Sequence, residues 1–387
     1  MTNPFKPGSG LYPPYFADRT REIEIFQRKL DQTIDGTPMH MSIIGDWAMG
    51  KTSLMRRLRE VAEEQKCFVS EMIASPTDST ETFVNNLSDN LADDLRRYGK
   101  DTTYKKIKVA LSKIDSVGVS AFGFGSSVQR TKQDHSSPQF ALRVGIRTMW
   151  EHLSKDYRAM VILIDDFDLI CNDDDKLREI MLTVRNALME SIKDGVKVIC
   201  VVSGTKLFEQ FESIHGPLIR FFEPFVLLNL TLPEAKKAIE IPLQETDVKF
   251  SPNIVDNIVE VTQQHPYYIQ EFCYVLYENA VNKRVTSIVY ESTYNKIIHD
   301  LARKLWHQRV SELGDLSLNV ISIISNGNST VDDIIKIGKK YHLQSGNIRT
   351  VLTRLLGSGI ILRTGRGTYE IKDKLFGTYI ATLYQED

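Results

Sequence analysis

Residues 42–55 read SIIGDWAMGKTSLM, and their spacing decides the fold. Gly45, Gly50, Lys51 and Thr52 satisfy the pattern G-x-x-x-x-G-K-[ST]. Just before them, MHMSIIG is apolar in the manner of a buried strand; just after, KTSLMRRLREVAEEQ has helical periodicity. Gripping a phosphate demands that order. A buried strand delivers the chain to the carboxyl edge of a sheet, and glycines let the backbone wrap so that its N–H groups point inward. The helix that follows aims the positive end of its dipole at the same point. In this arrangement Gly45, Asp46, Trp47, Ala48, Met49, Gly50, Lys51, Thr52 and Ser53 form the cradle. Lys51 reaches the β- and γ-phosphates and Thr52 ligates Mg²⁺. The expected ligand is a nucleoside triphosphate, ATP or GTP.

Outward from this loop the chain alternates. CFVSEMIA (67–74), AMVILIDD (159–166), KVICVVSG (197–204) and EPFVLLNL (223–230) read as strands. Helical patterns fall between them at residues 80–99, 138–156 and 174–193. Strands apolar throughout and separated by helices imply a parallel sheet covered on both faces, a doubly wound α/β domain. Residues 100–136, containing VGVSAFGFGSSV, break the alternation and read as an insertion, a hairpin or exposed edge. In MVILIDDFD the strand carries Asp165 to the edge where the phosphates would lie, placed to hold Mg²⁺ through water. Asp166 follows, where many hydrolytic P-loop proteins carry Glu to orient the attacking water. Its shorter side chain predicts slow or partner-gated hydrolysis. Asp168 reads as a cap rather than a catalyst.

Composition sets the bounds. With 387 residues, 42% hydrophobic and 25% charged, the chain is an ordinary globular protein of two or three domains. A net charge of −2 excludes general polyanion binding, so any basic surface is local. Cys67, Cys171, Cys200 and Cys273 have no metal-chelating spacing, and Cys67 and Cys200 read as small buried apolar residues. The N-terminus lacks the apolar run of a signal peptide, and no apolar run is long enough to span a bilayer. The expectation is a cytoplasmic protein without membrane partners. Phe5, Leu11, Tyr12, Tyr15 and Phe16 make the Pro- and Gly-rich first residues costly to leave in water, so part of them should pack down. A helix follows with Ile23, Phe26 and Leu30 on one face and Asp18 at its N-cap. Residues 39–232 form the α/β core, 233–310 a helical domain in which strands stop, and 311–387 three short helices followed by two strands around Gly365-Arg366-Gly367. That last order suggests a winged helix-turn-helix.

With these motifs in place, the chain resembles the AAA+/STAND-type P-loop ATPases near the origin-recognition-like and archaeal ATPase branch, over nearly its full length. ADRTREI puts Arg19 and Glu22 at the positions of a GR-x-x-E box that helps seat adenine, with Asp18 in place of Gly. VICVVSGT is similar to the sensor 1 strand, making Ser203 and Thr205 candidates to face the γ-phosphate. Arg220 fits an arginine that acts either at a neighbouring subunit's phosphate or within its own chain. QQHPYYIQEF resembles a GHPYLLQ-type element, with Gln264 in place of Gly; it implies Pro266 against adenine and His265 near a phosphate, with a helix cap or a core histidine as the plain alternative. Tyr267, Tyr268, Phe272 and Tyr274 read as core of the helical domain.

The C-terminal stretch resembles the winged helix that closes such chains. A recognition helix over about 345–356 buries Ile348, Val351, Leu352, Leu355 and Leu356, leaving Arg349 and Thr353 outward, with Arg363 and Arg366 flanking the wing. Between Lys340 and Lys374 there are seven Lys or Arg against two Asp or Glu, consistent with phosphate contacts on duplex DNA. Such modules also serve as latches or protein-contact surfaces. The resemblance therefore implies an ATP- and Mg²⁺-dependent switch that oligomerises or answers to a protein partner. The alternatives are a DNA-loading, initiator-like ATPase and an ATP-binding module without turnover.

Overall fold

Every residue of β1 (His40–Ile44), β3 (Met160–Asp165) and β4 (Val198–Gly204) is buried. Strands of that kind need cover on both faces, and helices supply it. With β2 (Phe68–Ile73) and β5 (Phe222–Val226) they form a five-stranded sheet in the order β2-β3-β4-β1-β5. All pairings are parallel: Met41 lies opposite Val201, His40 opposite Phe222, Phe68 opposite Met160 and Val161 opposite Ile199. This is the P-loop NTPase fold that the sequence predicts. Because β4 separates β1 from β3, the chain exits of all three lie side by side on the carboxyl edge.

The coordinates are a computed structural model that describes residues 2–8, 15–17, 19–77, 79–98, 137–170, 173–205, 216–339 and 342–383. The expected insertion at 100–136 lies outside the described residues, as do Asp18, Leu11, Tyr12 and Cys171. The chain divides into two compact units, one of Asp18–Leu228 and one of Met1–Ala17 with Asn229–Asp387.

In the first unit the sheet is flanked by α1 (Thr20–Ile34), α2 (Lys51–Glu64), α3 (Thr80–Arg97), α4 (Pro138–Leu153), α5 (Asp174–Lys193) and the short α6 (Gly216–Phe221). Local chemistry starts several of them. Ser79 and Ser137 accept hydrogen bonds from the amides of Thr82 and Phe140, and Asp173 accepts from those of Asp175 and Lys176. Arg19, not Asp18, occupies the N-cap position of α1. Phe68, Phe83, Phe167 and Phe222 are fully sunk in the core, each burial contributing about 2–3 kcal/mol. Cys67 and Cys200 are buried as expected.

The second unit is mainly helical: α7 (Leu232–Gln244), α8 (Pro252–Val261), α9 (Pro266–Glu278), α10 (Ser287–Leu301), a π-helical turn at Ala302–Trp306, and α11 (His307–Ser325), which breaks at Gly314. Two short strands, β6 (Lys249–Phe250) and β7 (Arg284–Val285), pair in parallel where the sequence predicts none. Two residues leave no periodic signal, but Val285 is buried and its carbonyl accepts from the Ser251 amide. Phe5 is buried in this unit with its ring 6.3 Å from that of Phe250, so the N-terminal segment does pack down there. Of the four aromatics assigned to the helical core, Tyr268 and Phe272 are buried, but Tyr274 is 38% exposed because it lies on the outer face of α9. The chain ends with α12 (Val331–Gly338), α13 (Ser345–Gly357), the antiparallel hairpin of β8 (Ile361–Gly365) and β9 (Thr368–Ile371), and α14 (Lys374–Leu383). Leu356, assigned to the buried stripe of α13, is 37% exposed, whereas Ile348, Val351, Leu352 and Leu355 are buried. Among the described residues no helix is long and apolar enough to cross a membrane.

Candidate functional site

The loop after β1 folds as its glycines require. Gly50 has φ +87°, a left-handed conformation that favours glycine, and a Cβ there would meet nothing within 4 Å. At Gly45 a Cβ would come within 3.2 Å of the Leu227 Cβ, so the close passage of the chain beside β5 keeps that position small. Ala48 is also left-handed, at φ 61°. Gly50 is the N-cap of α2, so no side chain caps that helix and its first-turn amides are offered to an acceptor from elsewhere. Asp46, Trp47 and Thr52 are exposed, Ala48 and Ser53 half-buried, and Met49 buried.

Lys51 is 8% exposed. Its Nζ donates to the carbonyls of Gly45 at 2.9 Å and Asp46 at 3.2 Å, and to Oγ1 of Thr205 at 3.4 Å. Asp165 closes the other side. Ser203 Oγ donates to Asp165 Oδ1, and the Asp166 amide donates to both groups, at 3.2 Å and 3.1 Å respectively. Asp165 Oδ2 is buried with no hydrogen-bond partner among the described residues. A buried carboxylate oxygen without a donor costs about 1–3 kcal/mol or more, and a hydrated cation is a partner it can take. The residues at hand thus fit Mg²⁺: one carboxylate oxygen to spare, the Thr52 hydroxyl on the same edge, and phosphate oxygens to complete the shell.

Asp166 sits at φ 53°, ψ 39°, an uncommon conformation for a residue other than glycine, but one that Asp and Asn tolerate better than most. Asp168 lies within the short 3-10 turn Phe167–Leu169. Its Oδ2 accepts from the Thr205 amide at 2.7 Å and so ties the turn after β3 to the exit of β4. The electrostatics follow from crowding. Burial lowers the Lys51 ammonium pKa, opposed by Asp166, Asp168, Asp165 and Asp46. Burial raises Asp166 and the Asp165 charge raises it further, while Lys51 pulls it down.

The structure brings Lys51, Asp165, Asp166, Ser203 and Thr205 together at one edge of the sheet. Arg19 joins them in another way than expected. Its buried guanidinium donates to the carbonyls of Leu228 at 2.9 Å and Met49 at 3.3 Å and pairs with Glu22, so it straps the loop. Nothing in its motif signals that backbone role. Arg220 is exposed and precedes β5, whose first residue is level with His40 at the start of β1. Its backbone therefore lies about a strand length, roughly 16 Å, from the carboxyl edge of the sheet.

The remaining candidates belong to the second unit. His265 takes the N-cap position of α9 but caps nothing with its side chain; its ring stacks on Tyr268 at 4.2 Å. Gln263 and Gln264 before it are both left-handed, at φ 50° and 59°, so the position where the resembled family has Gly keeps the glycine conformation with a side chain on it. Pro266 opens α9 as its first residue. Arg349, Thr353, Arg363 and Arg366 are all exposed.

Residues 15–199 match the family model of the AAA ATPase domain. No curated protein matches the chain in sequence. Among solved structures, the ORC2 protein of Aeropyrum pernix, in ADPNP–ADP complexes, resembles it with a TM-score of 0.62 at 12% identity, over 98% of this chain and 96% of that one. The Walker-type ATPase of Pyrococcus abyssi resembles it with a TM-score of 0.57 at 13% identity, over 94% of this chain and 96% of that one. At such identities the likeness is one of fold. The match covers α1, the loop, β2 and β3, and reaches into β4.

Proposed function

We propose that this AAA protein binds ATP with Mg²⁺ on the 45–53 loop and hydrolyses it slowly, as a nucleotide-dependent switch. The observation that carries the reading is the unpartnered Oδ2 of Asp165 on the same edge as Lys51 and the uncapped start of α2. Lys51 holds the β- and γ-phosphates, breaking its bonds to the Gly45 and Asp46 carbonyls to do so. Asp165 and Thr52 hold Mg²⁺, which when bound neutralises charge on the phosphates. Asp166 orients the attacking water, and Ser203 and Thr205 report the γ-phosphate from the exit of β4. Arg220 acts at a neighbouring copy's phosphate. Calorimetric titration with ATP and Mg²⁺ tests this: Lys51→Ala loses binding, and retained micromolar affinity would overturn the assignment.

A second reading, duplex DNA bound by the C-terminal module, draws on the exposure of Arg349, Thr353, Arg363 and Arg366. It predicts affinity that falls steeply with salt and is lost in the Arg349→Ala/Arg366→Ala double variant. The switch reading predicts ATP-driven assembly without DNA. Turnover and particle mass with ATP, with and without duplex DNA, separate the two. The same turnover assay tests the third reading, ATP binding without hydrolysis.

A further inference from the structure

Within the second unit, the segment Gln263–Tyr268 is tied to the start of the last helix by three side chains. Tyr268 Oη donates to Asp373 Oδ2 at 2.5 Å and accepts from Trp306 Nε1 at 3.1 Å. Gln263 Oε1 accepts from the Lys374 amide at 2.9 Å. Asp373 spends its other oxygen, Oδ1, on the Phe376 amide at 3.1 Å, so it caps α14 as well. The aromatic half of the clasp is buried, with Tyr268 6% exposed and Trp306 2%, whereas Gln263 and Asp373 are half-buried. It is also costly. A carboxylate has been desolvated here to meet a phenol, and two consecutive non-glycine residues are held left-handed beside it. Plain packing needs neither, since Ile269, Phe272 and Phe376 already fill the surrounding core. Polar clasps of this kind hold one arrangement against others rather than adding bulk stability.

We infer that Tyr268, Gln263 and Asp373 are positioning residues that lock the His265–Pro266 turn to the C-terminal hairpin and helix, so that the turn and that module change state together. Tyr268 is the pivot. One face of its ring carries the His265 imidazole, while its hydroxyl grips the residue just before α14. A ligand that shifts His265 must shift that ring and load the Asp373 contact; releasing Asp373 must free the turn. By linkage the coupling runs both ways: whatever displaces the turn loosens the start of α14, and whatever frees α14 loosens the turn.

Hydrogen exchange on the full chain, without nucleotide, tests the tie. In Tyr268→Phe, which keeps the ring stack, exchange at both 263–266 and 373–377 should rise by about tenfold or more, with α8 and α12 unchanged. Gln263→Ala, which removes only the acceptor for Lys374, should speed the same two segments to a lesser degree and serves if the first variant folds poorly. Faster exchange at only one of the segments, or at neither, overturns the inference. Should Lys51→Ala still bind nucleotide while the two segments respond together, the site reading fails and the clasp stands.

Discussion

Ser203 Oγ donates to one oxygen of Asp165, and the other oxygen of that carboxylate is buried without a partner among the described residues. The serine occupies one carboxylate oxygen and leaves the other without a donor. Asp165→Asn should therefore fold normally, keep metal-free ATP binding within about twofold, and lose most of the gain in affinity that Mg²⁺ confers, about tenfold or more. Titrations with ATP in Mg²⁺ and in chelator measure that gain directly. An undiminished Mg²⁺ effect would place the metal elsewhere.

Asp166 sits on a left-handed backbone. This accounts for Asp where the longer Glu would reach the water better, because Asp bears that conformation at lower cost. Asp166→Asn should abolish turnover and spare binding. Asp166→Glu should raise turnover, since a carboxylate set back by about 1.3–1.5 Å forfeits on the order of 100-fold, while lowering stability slightly. The same residue sets a pH limb. Burial and Asp165 raise its pKa, and only the ionised form orients water, so turnover should fall on acidification at a pH above the ordinary Asp value of 3.8. Equal rates for wild type and Asp166→Asn across pH would favour binding without hydrolysis.

The sheet and the phosphate loop were legible because they rest on strong local signals: runs of apolar residues for β1, β3 and β4, and a glycine spacing with one physical purpose. Asp165 was legible because a strand's length determines where its last residue emerges. What escaped the sequence was long-range. Arg19 meets Met49 and Leu228 through main-chain carbonyls, which carry no residue code. Asp168 bonds an amide 37 residues on, a contact that no local pattern signals. The register of β5 on β1, which sets the backbone of Arg220 at the amino end of the sheet, has no counterpart in the spacing of its motif. The Tyr268–Asp373 contact spans 105 residues and follows no periodicity, so aromatic spacing gave only core.

Arg19 bridges two carbonyls on different segments with one planar guanidinium. Charge-assisted hydrogen bonds of this kind contribute about 1.5–3 kcal/mol each, and part of that holds the loop in shape for its ligand. Arg19→Ala should weaken ATP binding by about tenfold and lower Tm. Arg19→Lys should recover little, because an ammonium offers no fork to span both carbonyls. Titration paired with thermal melts checks both. A full rescue by lysine would show that charge alone, not the bridge, is what the loop needs.

His40 gives a stability signature independent of any ligand. It is 3% exposed at the start of β1, its ring 4.4 Å from that of Phe221, and its Nδ1 accepts from the Cys200 amide at 2.9 Å. The amide must donate, so the ring is neutral with its proton on Nε2. Burial, helped by the charge of Lys29, lowers its pKa to about 3 from 6.5. The unfolded chain binds this proton below pH 6.5 and the folded chain does not until about pH 3. Stability should thus be lost as pH falls through that window, by at most about 1.4 kcal/mol per pH unit from this residue. His40→Gln retains an acceptor and cannot titrate. It should be less stable than wild type at pH 8 but show a shallower decline between pH 6.5 and 4.5 in urea unfolding. Parallel declines for the two proteins would mean that His40 is protonated in the fold without penalty, contrary to its burial between β1 and Phe221.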